Sequence, residues 1–220
     1  MLGEAQTDAP ATPGQARRDR RRAATRAEIL DAAWDLVREH GLAALALRDL
    51  AARVGMRAPS LYQYFDSKHA IYDAMFAQGW RAALEAITEP QLGTDDPREA
   101  LRISARRMFT FATEDAARYQ LLFQRTIPGF EPSPESYAPA VEMFTRSEQL
   151  MARYGITDPD AMDLWTALIS GLTSQQLSND PGGTRWERLI DRTVDMYLAQ
   201  VVPAAPATTP TPTSKRKRAK

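Results

Sequence analysis

Catalysis by side chains needs a nucleophile, a set of metal ligands or a paired acid and base, and this chain is poor in all three. It contains no cysteine and two histidines, His40 and His69. Disulfides, thiolate zinc sites and a cysteine nucleophile are therefore excluded by inventory. No glycine-rich phosphate loop follows a strand pattern, and no spacing assembles a nucleophile with a base and an orienting group. His40 falls at the end of a helical stretch, where an imidazole suits the terminal carbonyls. The expectation is a non-enzyme without metal or cofactor, whose chemistry is charge and hydrogen bonding.

That charge is unevenly placed. The chain carries 28 basic and 28 acidic groups in 220 residues. Residues 1–26 hold six arginines against three acids, and residues 203–220 hold five basic groups against none, which leaves 17 basic and 25 acidic groups between them. Two basic ends thus flank an acidic body, so contact with a polyanion is expected to be local. The arginines of the first segment include Arg17, Arg18, Arg20, Arg21 and Arg22. They form either an arm that follows a nucleic-acid backbone or enters its minor groove, or a solvated tail.

The elements that must position such groups are helical. No window alternates apolar and polar residues with hairpin turns, so strands have no support. Ile29, Leu30, Ala33, Trp34 and Val37 share one helical face, stopped at Gly41. Leu47, Leu50, Ala51 and Val54 make a short second helix ended by Gly55, and Pro59 suits the first turn of a third helix over 58–65. The fourth, capped by Asp66 or Ser67, carries Ile71, Met75, Phe76, Trp80, Leu84 and Ile87 until Pro90. Asp96-Pro97 opens a fifth, residues 116–125 form a sixth, and residues 136–154 form a seventh beyond a Pro/Gly-rich loop. Asp158-Pro159 caps an eighth to about residue 178, and residues 184–202 form a ninth after the turn 179–183. The fold class is all-α with about nine helices. Residues 1–16 and the Pro/Thr-rich basic tail 203–220 bury too little apolar surface to order and are expected to be disordered. No apolar run approaches the roughly 18 residues of a membrane span, and no signal sequence opens the chain, so a soluble cytoplasmic protein without membrane contact is expected.

Leu47 to Phe65 has the layout of two short helices joined by a turn at Gly55, with the small Ala51 where they cross. Spacing alone leaves two readings open, an ordinary αα-hairpin or a DNA-reading helix-turn-helix. The sequence LRDLAARVGMRAPSLYQYFDSKHAIYDAM goes further. With Gly41, Leu50-Ala51, Gly55, Leu61-Tyr62, Tyr64-Phe65, Ser67-Lys68 and Ile71, it resembles the DNA-binding region of the TetR family over about residues 25–75.

The resemblance implies roles for individual residues. Arg48 on the second helix would reach guanine, and Ala58, Pro59, Ser60 and Gln63 would face the major groove, with Gln63 able to pair with adenine. Tyr62 and Tyr64 would place hydroxyls on phosphates unless one packs beside Phe65, and Lys68 would add a phosphate contact near backbone N–H groups. Two positions depart from the family pattern. Ala46 and Arg57 stand where Thr and Ser commonly cap the second and third helices, so each start loses about 1 kcal/mol of capping. Arg57 either contacts DNA instead or is a surface arginine.

The resemblance also divides the chain into a DNA-binding domain at 17–70 and a ligand-binding and dimerisation domain at 71–202. Phe76, Trp80, Met108, Phe109, Tyr119, Phe123 and Trp165 supply surface for a cavity or for core, with Arg106 or Arg107 as a polar anchor. Leu168 and Leu172 on the eighth helix, with Trp186, Ile190, Val194 and Tyr197 on the ninth, make apolar faces that pack either across a homodimer or within one subunit. The function implied is a ligand-responsive repressor that binds an inverted-repeat DNA operator as a homodimer and is released by an unidentified small-molecule effector.

Overall fold

A computed structural model describes residues 12–88 and 94–202. Among the described residues all regular structure is helical, with nine α-helices and two 3-10 turns. The expected disorder of residues 1–11 and the whole basic tail 203–220 lie outside the described residues.

The first helix, α1 (Pro13–His40), corrects the expectation at the N-terminus. Residues 13–16 are not tail, and Arg17 to Arg22 are not a loose arm; both continue the helix. Pro13 pre-sets the first turn, and Arg, Ala and Glu are good helix formers. The segment also extends a helix already nucleated by the buried Ile29, Ala33, Trp34 and Val37, so no new nucleus is needed. At the other end Gly41 donates its N–H to Val37 O at 2.9 Å.

A 3-10 turn at Leu42–Ala44 leads to α2 (Leu47–Arg53) and α3 (Ala58–Leu61). Between them Gly55 adopts φ +67°, a region that a Cβ disfavours. Its N–H bonds Ala52 O at 3.1 Å while Met56 N–H reaches Ala51 O at 2.8 Å, which ends α2 sharply. Neither Ala46 nor Arg57 caps its helix with a side chain. α3 is shorter than the expected 58–65. The N–H groups of Tyr64 and Phe65 both bond Leu61 O at 2.9 Å, so the chain tightens into a turn.

Side-chain caps fix the next starts. Ser67 Oγ accepts Ala70 N–H at 3.1 Å at the start of α4 (Lys68–Thr88). Asp96 accepts Arg98 N–H at 2.9 Å for α5 (Pro97–Glu114), and Asp115 accepts Arg118 N–H at 3.0 Å for α6 (Ala116–Phe123). Ser133 accepts Ser136 N–H at 3.2 Å for α7 (Pro134–Arg153). α8 (Ala161–Asn179) starts later than expected, because the carboxylate and carbonyl of Asp158 hold the N–H groups of Asp160 and Ala161 in a preceding turn. α9 (Ile190–Val201) is likewise shorter than 184–202. Gln176 and Asp180 accept the N–H groups of Trp186 and Arg185 at 3.0 and 2.8 Å, which holds that stretch as a turn.

Two apolar clusters run through the molecule. The first joins α1, α2 and α3 to α4 through Ile29, Leu50, Leu61, Ile71 and Met75, and continues along α4 to Leu121 and Met143. The second packs Leu101 and Phe109 of α5 against Trp165 and Ile169 of α8 and Ile190, Val194 and Tyr197 of α9. α4 and α7 pack along each other more extensively than any other pair. Their ends are tied by Asp73, whose carboxylate accepts Ser133 N–H at 2.7 Å, Ser133 Oγ–H at 2.9 Å and Ser136 Oγ–H at 2.7 Å.

Candidate nucleic-acid interface and ligand cavity

The α2–α3 pair turns its apolar side inward and leaves a polar face outside. Leu50, Ala51 and Leu61 are buried, while Arg57, Pro59, Tyr62 and Gln63 are exposed and Ala58, Ser60 and Tyr64 are half-buried. The Arg48 side chain is 91% exposed and lies 3.6 Å from the Asp49 carboxylate. The two tyrosines differ: Tyr62 is 53% exposed, whereas Tyr64 packs against the first apolar cluster. Lys68 Nζ donates to Ala43 O at 3.3 Å and sits 5.5 Å from the centre of the Tyr72 ring. It therefore fastens α4 to the turn after α1 as well as carrying charge at that edge.

A strap that the sequence reading missed holds this face to α1. The Arg26 guanidinium lies 4.1 Å from the centre of the Phe65 ring and donates to Tyr64 O, and Arg22 lies 5.7 Å from the Tyr64 ring. The signal was present, since Arg22 and Arg26 share the stripe of Ile29 and Ala33 at helical spacing. Below the face, Tyr72 donates its hydroxyl to Leu42 O. Burial of the phenol pushes its pKa up to about 12.

The larger helices enclose a narrow cavity of about 40 Å3, lined from α4 by Ile87, from α5 by Ser104, Met108 and Ala112, from α6 by Tyr119 and Phe123, from α7 by Met143, Phe144 and Ser147, and from α8 by Met162, Trp165, Thr166, Ile169, Ser170 and Thr173. Met108, Tyr119, Phe123 and Trp165 of the sequence-based candidates are on its wall; Phe76, Trp80, Arg106 and Phe109 are not. Phe76 stacks on Tyr137 at 6.0 Å beside a separate groove. Trp80 lies behind Phe123 and Phe144, its buried Nε1 without an acceptor. Phe109 belongs to the second apolar cluster. Arg106 points the other way and pairs with Asp191 at 2.6 Å, and Arg107 donates to Ile87 O at 3.5 Å. Tyr119 donates to Ser170 O at 3.3 Å, and burial raises its pKa. The α7 lining residues were missed because their spacing reads equally well as core.

Three of the expected dimer-face residues are corrected in the same way. Ile190, Val194 and Tyr197 are fully buried inside the single chain, where Tyr197 donates to Ala161 O at 3.0 Å. Trp186, Leu168 and Leu172 are half-buried. The exposed apolar residues nearby are Leu164 on α8 and Met196 on α9, 39% and 61% exposed. No group of acids and histidines that could hold a metal occurs among the described residues, and no described helix is long and apolar enough to cross a membrane.

A short helix pair with an exposed polar face, seated on a three-helix core and joined by one long helix to a hollow helical body, defines the class of helix-turn-helix proteins with a second, cavity-bearing domain. Residues 29–75 match the family described as bacterial regulatory proteins, tetR family. It is 30% identical over 99 residues to the HTH-type transcriptional activator FasR of Mycolicibacterium smegmatis, a match covering 45% of each chain. It is 28% identical over 163 residues to the tetracycline repressor protein class A from transposon 1721 of Escherichia coli, covering 71% of this chain and 69% of that one. Among solved structures it is similar in fold to a protein described as regulatory, SCO4313, with a TM-score of 0.70 at 23% identity over 82% of this chain and 98% of that one. The chain thus spans about half the length of the activator that it matches.

Proposed function

We propose that the protein is a cytoplasmic, ligand-responsive repressor that binds an inverted-repeat DNA operator as a homodimer and leaves it when a small molecule enters the cavity. The observation that carries this reading is the continuity of α4. Lys68 at its first turn is bonded to Ala43 O in the turn before α2, and Ile87 near its far end lines the cavity. A displacement that opens the cavity is thereby offered a rigid path to the reading face. Arg48 and Gln63 are assigned to base edges, Tyr62 and Lys68 to phosphates, and Ala58, Pro59, Ser60 and Arg57 to the groove-facing surface. Tyr64, already packed and stacked by Arg22, is assigned to support rather than to contact.

The names of the relatives support regulation in both senses, one an activator and one a repressor. Release by a ligand fits a repressor, since loss of the protein from its site then permits transcription. The test is selection of bound fragments from source genomic DNA, followed by a promoter reporter with and without the protein. An inverted repeat and a reporter that falls when the protein is present are expected. Recovery of DNA without a shared site, or a reporter that rises, overturns the reading.

A further inference from the structure

The cavity wall has a chemical signature of its own. Among the described residues it contains no Asp, Glu, Lys, Arg or His. Its polar groups are hydroxyls, from Ser104, Ser147, Thr166, Ser170, Thr173 and Tyr119. The nearest arginines of α5 are turned to other partners: Arg102 reaches Asp195 at 3.2 Å, Arg106 reaches Asp191 at 2.6 Å, and Arg107 donates to Ile87 O. Tyr119 is the one titratable side chain on the wall, and its raised pKa keeps it neutral. The rest is apolar, with three methionines, Met108, Met143 and Met162, whose unbranched side chains can re-pack around an incoming group.

We infer that the effector of this cavity is an uncharged, mainly apolar molecule carrying a hydroxyl or carbonyl group, and that carboxylates, phosphates and ammonium groups are excluded. The inference rests on the reading of the cavity as an effector site. A charge brought into such a wall loses its hydration and finds no counter-charge, whereas a neutral acceptor or donor finds the serine and threonine hydroxyls. A free volume of about 40 Å3 is room for one or two waters, so a ligand enters by rotating the methionines and parting α7 from α5 and α8.

The test uses the whole 220-residue chain without DNA and three probes of one chain length, 1-octanol, octanoate and octylammonium, titrated by calorimetry. Octanol is expected to bind saturably and the two ions at least about 100-fold more weakly. Octanoate can then enter only as its neutral acid, so its apparent affinity should rise about tenfold for each unit of pH lowered, while octanol affinity stays level. Thr166→Phe and Ser147→Phe, which fill the cavity from α8 and α7, should each abolish octanol binding. Octanoate or octylammonium binding as tightly as octanol overturns the inference, as does pH-independent octanoate binding, octanol binding that survives both filled variants, or no binding by any probe. The charge series needs only the natural chain and stands if the filled variants do not fold. Operator affinity with and without octanol is then measured separately. An unchanged value counts against the regulatory reading and leaves the ligand class intact.

Discussion

Arg48 on α2 and Lys68 on α4 are both basic, yet their surroundings differ. Arg48 is almost wholly exposed beside a single acid, free to place its fork on a guanine; Lys68 is bound to Ala43 O and stacked near Tyr72. Arg48→Ala and Gln63→Ala are therefore predicted to relax preference at particular bases by about 1–3 kcal/mol. Lys68→Ala should weaken all sites alike and reduce the logarithmic salt slope by about 0.9. Titration of single-base operator variants at several salt concentrations separates the two patterns, and equal losses at all bases from all three variants contradict the assignment. Tyr72 makes a different prediction. Its folded pKa of about 12 lies above that of an exposed phenol near 10, so the fold favours the protonated form. The contribution is complete below pH about 10 and is lost as pH rises through about 12. Unfolding by urea should become easier across that window, and less steeply so in Tyr72→Phe, which has no proton to lose. The exposed polar face of α2 and α3 was legible because it lies within one short motif. Asp73 was not, since its partners Ser133 and Ser136 lie about sixty residues away and nothing local marks the pair.

At the scale of elements, the informative joint is the one between α4 and α7. Asp73 lies on α4 only a few residues beyond Lys68, and it holds the cap of α7, whose Met143, Phe144 and Ser147 line the cavity. A carboxylate bound by three donors thus offers any movement of α7 a path to the first turns of α4. Asp73→Ala leaves the Ser133 N–H and two hydroxyls without that acceptor and is predicted to cost about 1–3 kcal/mol in urea unfolding. The same variant should loosen the link between cavity and reading face, so an effector that weakens operator binding in the natural chain should do so less in the variant. Stability loss with full retention of the effector response would show that α4 alone carries the signal. The helix start marked by Asp96-Pro97 was legible because the Asp96 side chain bonds the first turn, whereas Ser133-Pro134, read as loop, starts α7 two residues earlier than expected. At Asp158 the Asp-Pro signal misled by a turn, because the acid closes a separate loop before α8 begins. The N-terminal arginines misled in the opposite direction, since composition suggested solvated tail while continuity with α1 made helix the cheaper state.

For the molecule as a whole, amphipathic periodicity says that a helix face is covered without saying by what. Ile190, Val194 and Tyr197 were read from spacing as an interface, but they are covered by α5 and α8 of the same chain, and the apolar surface left outside is a different set. Leu164, Leu168 and Leu172 recur every fourth residue along α8, and Met196 of α9 lies exposed nearby in the same helical pair. A second copy placed over this stripe by a twofold axis would build a four-helix contact and set two α3 elements at a fixed separation. Substitutions there should separate association from folding, because none of the four side chains is fully buried in the single chain. Leu164→Asp with Met196→Asp is predicted to convert a dimer to a monomer in analytical ultracentrifugation while leaving its melting curve cooperative. The operator result follows from the same geometry. Once one α3 is docked, a linked partner meets its half-site at high effective concentration, and this gain disappears when the copies part. The monomer should therefore bind an inverted repeat no more tightly than a single half-site, with roughly a hundredfold or greater loss against the natural chain. If the double variant remains dimeric, the stripe is not the interface; if it is monomeric yet binds the full repeat undiminished, twofold reading of the operator is wrong.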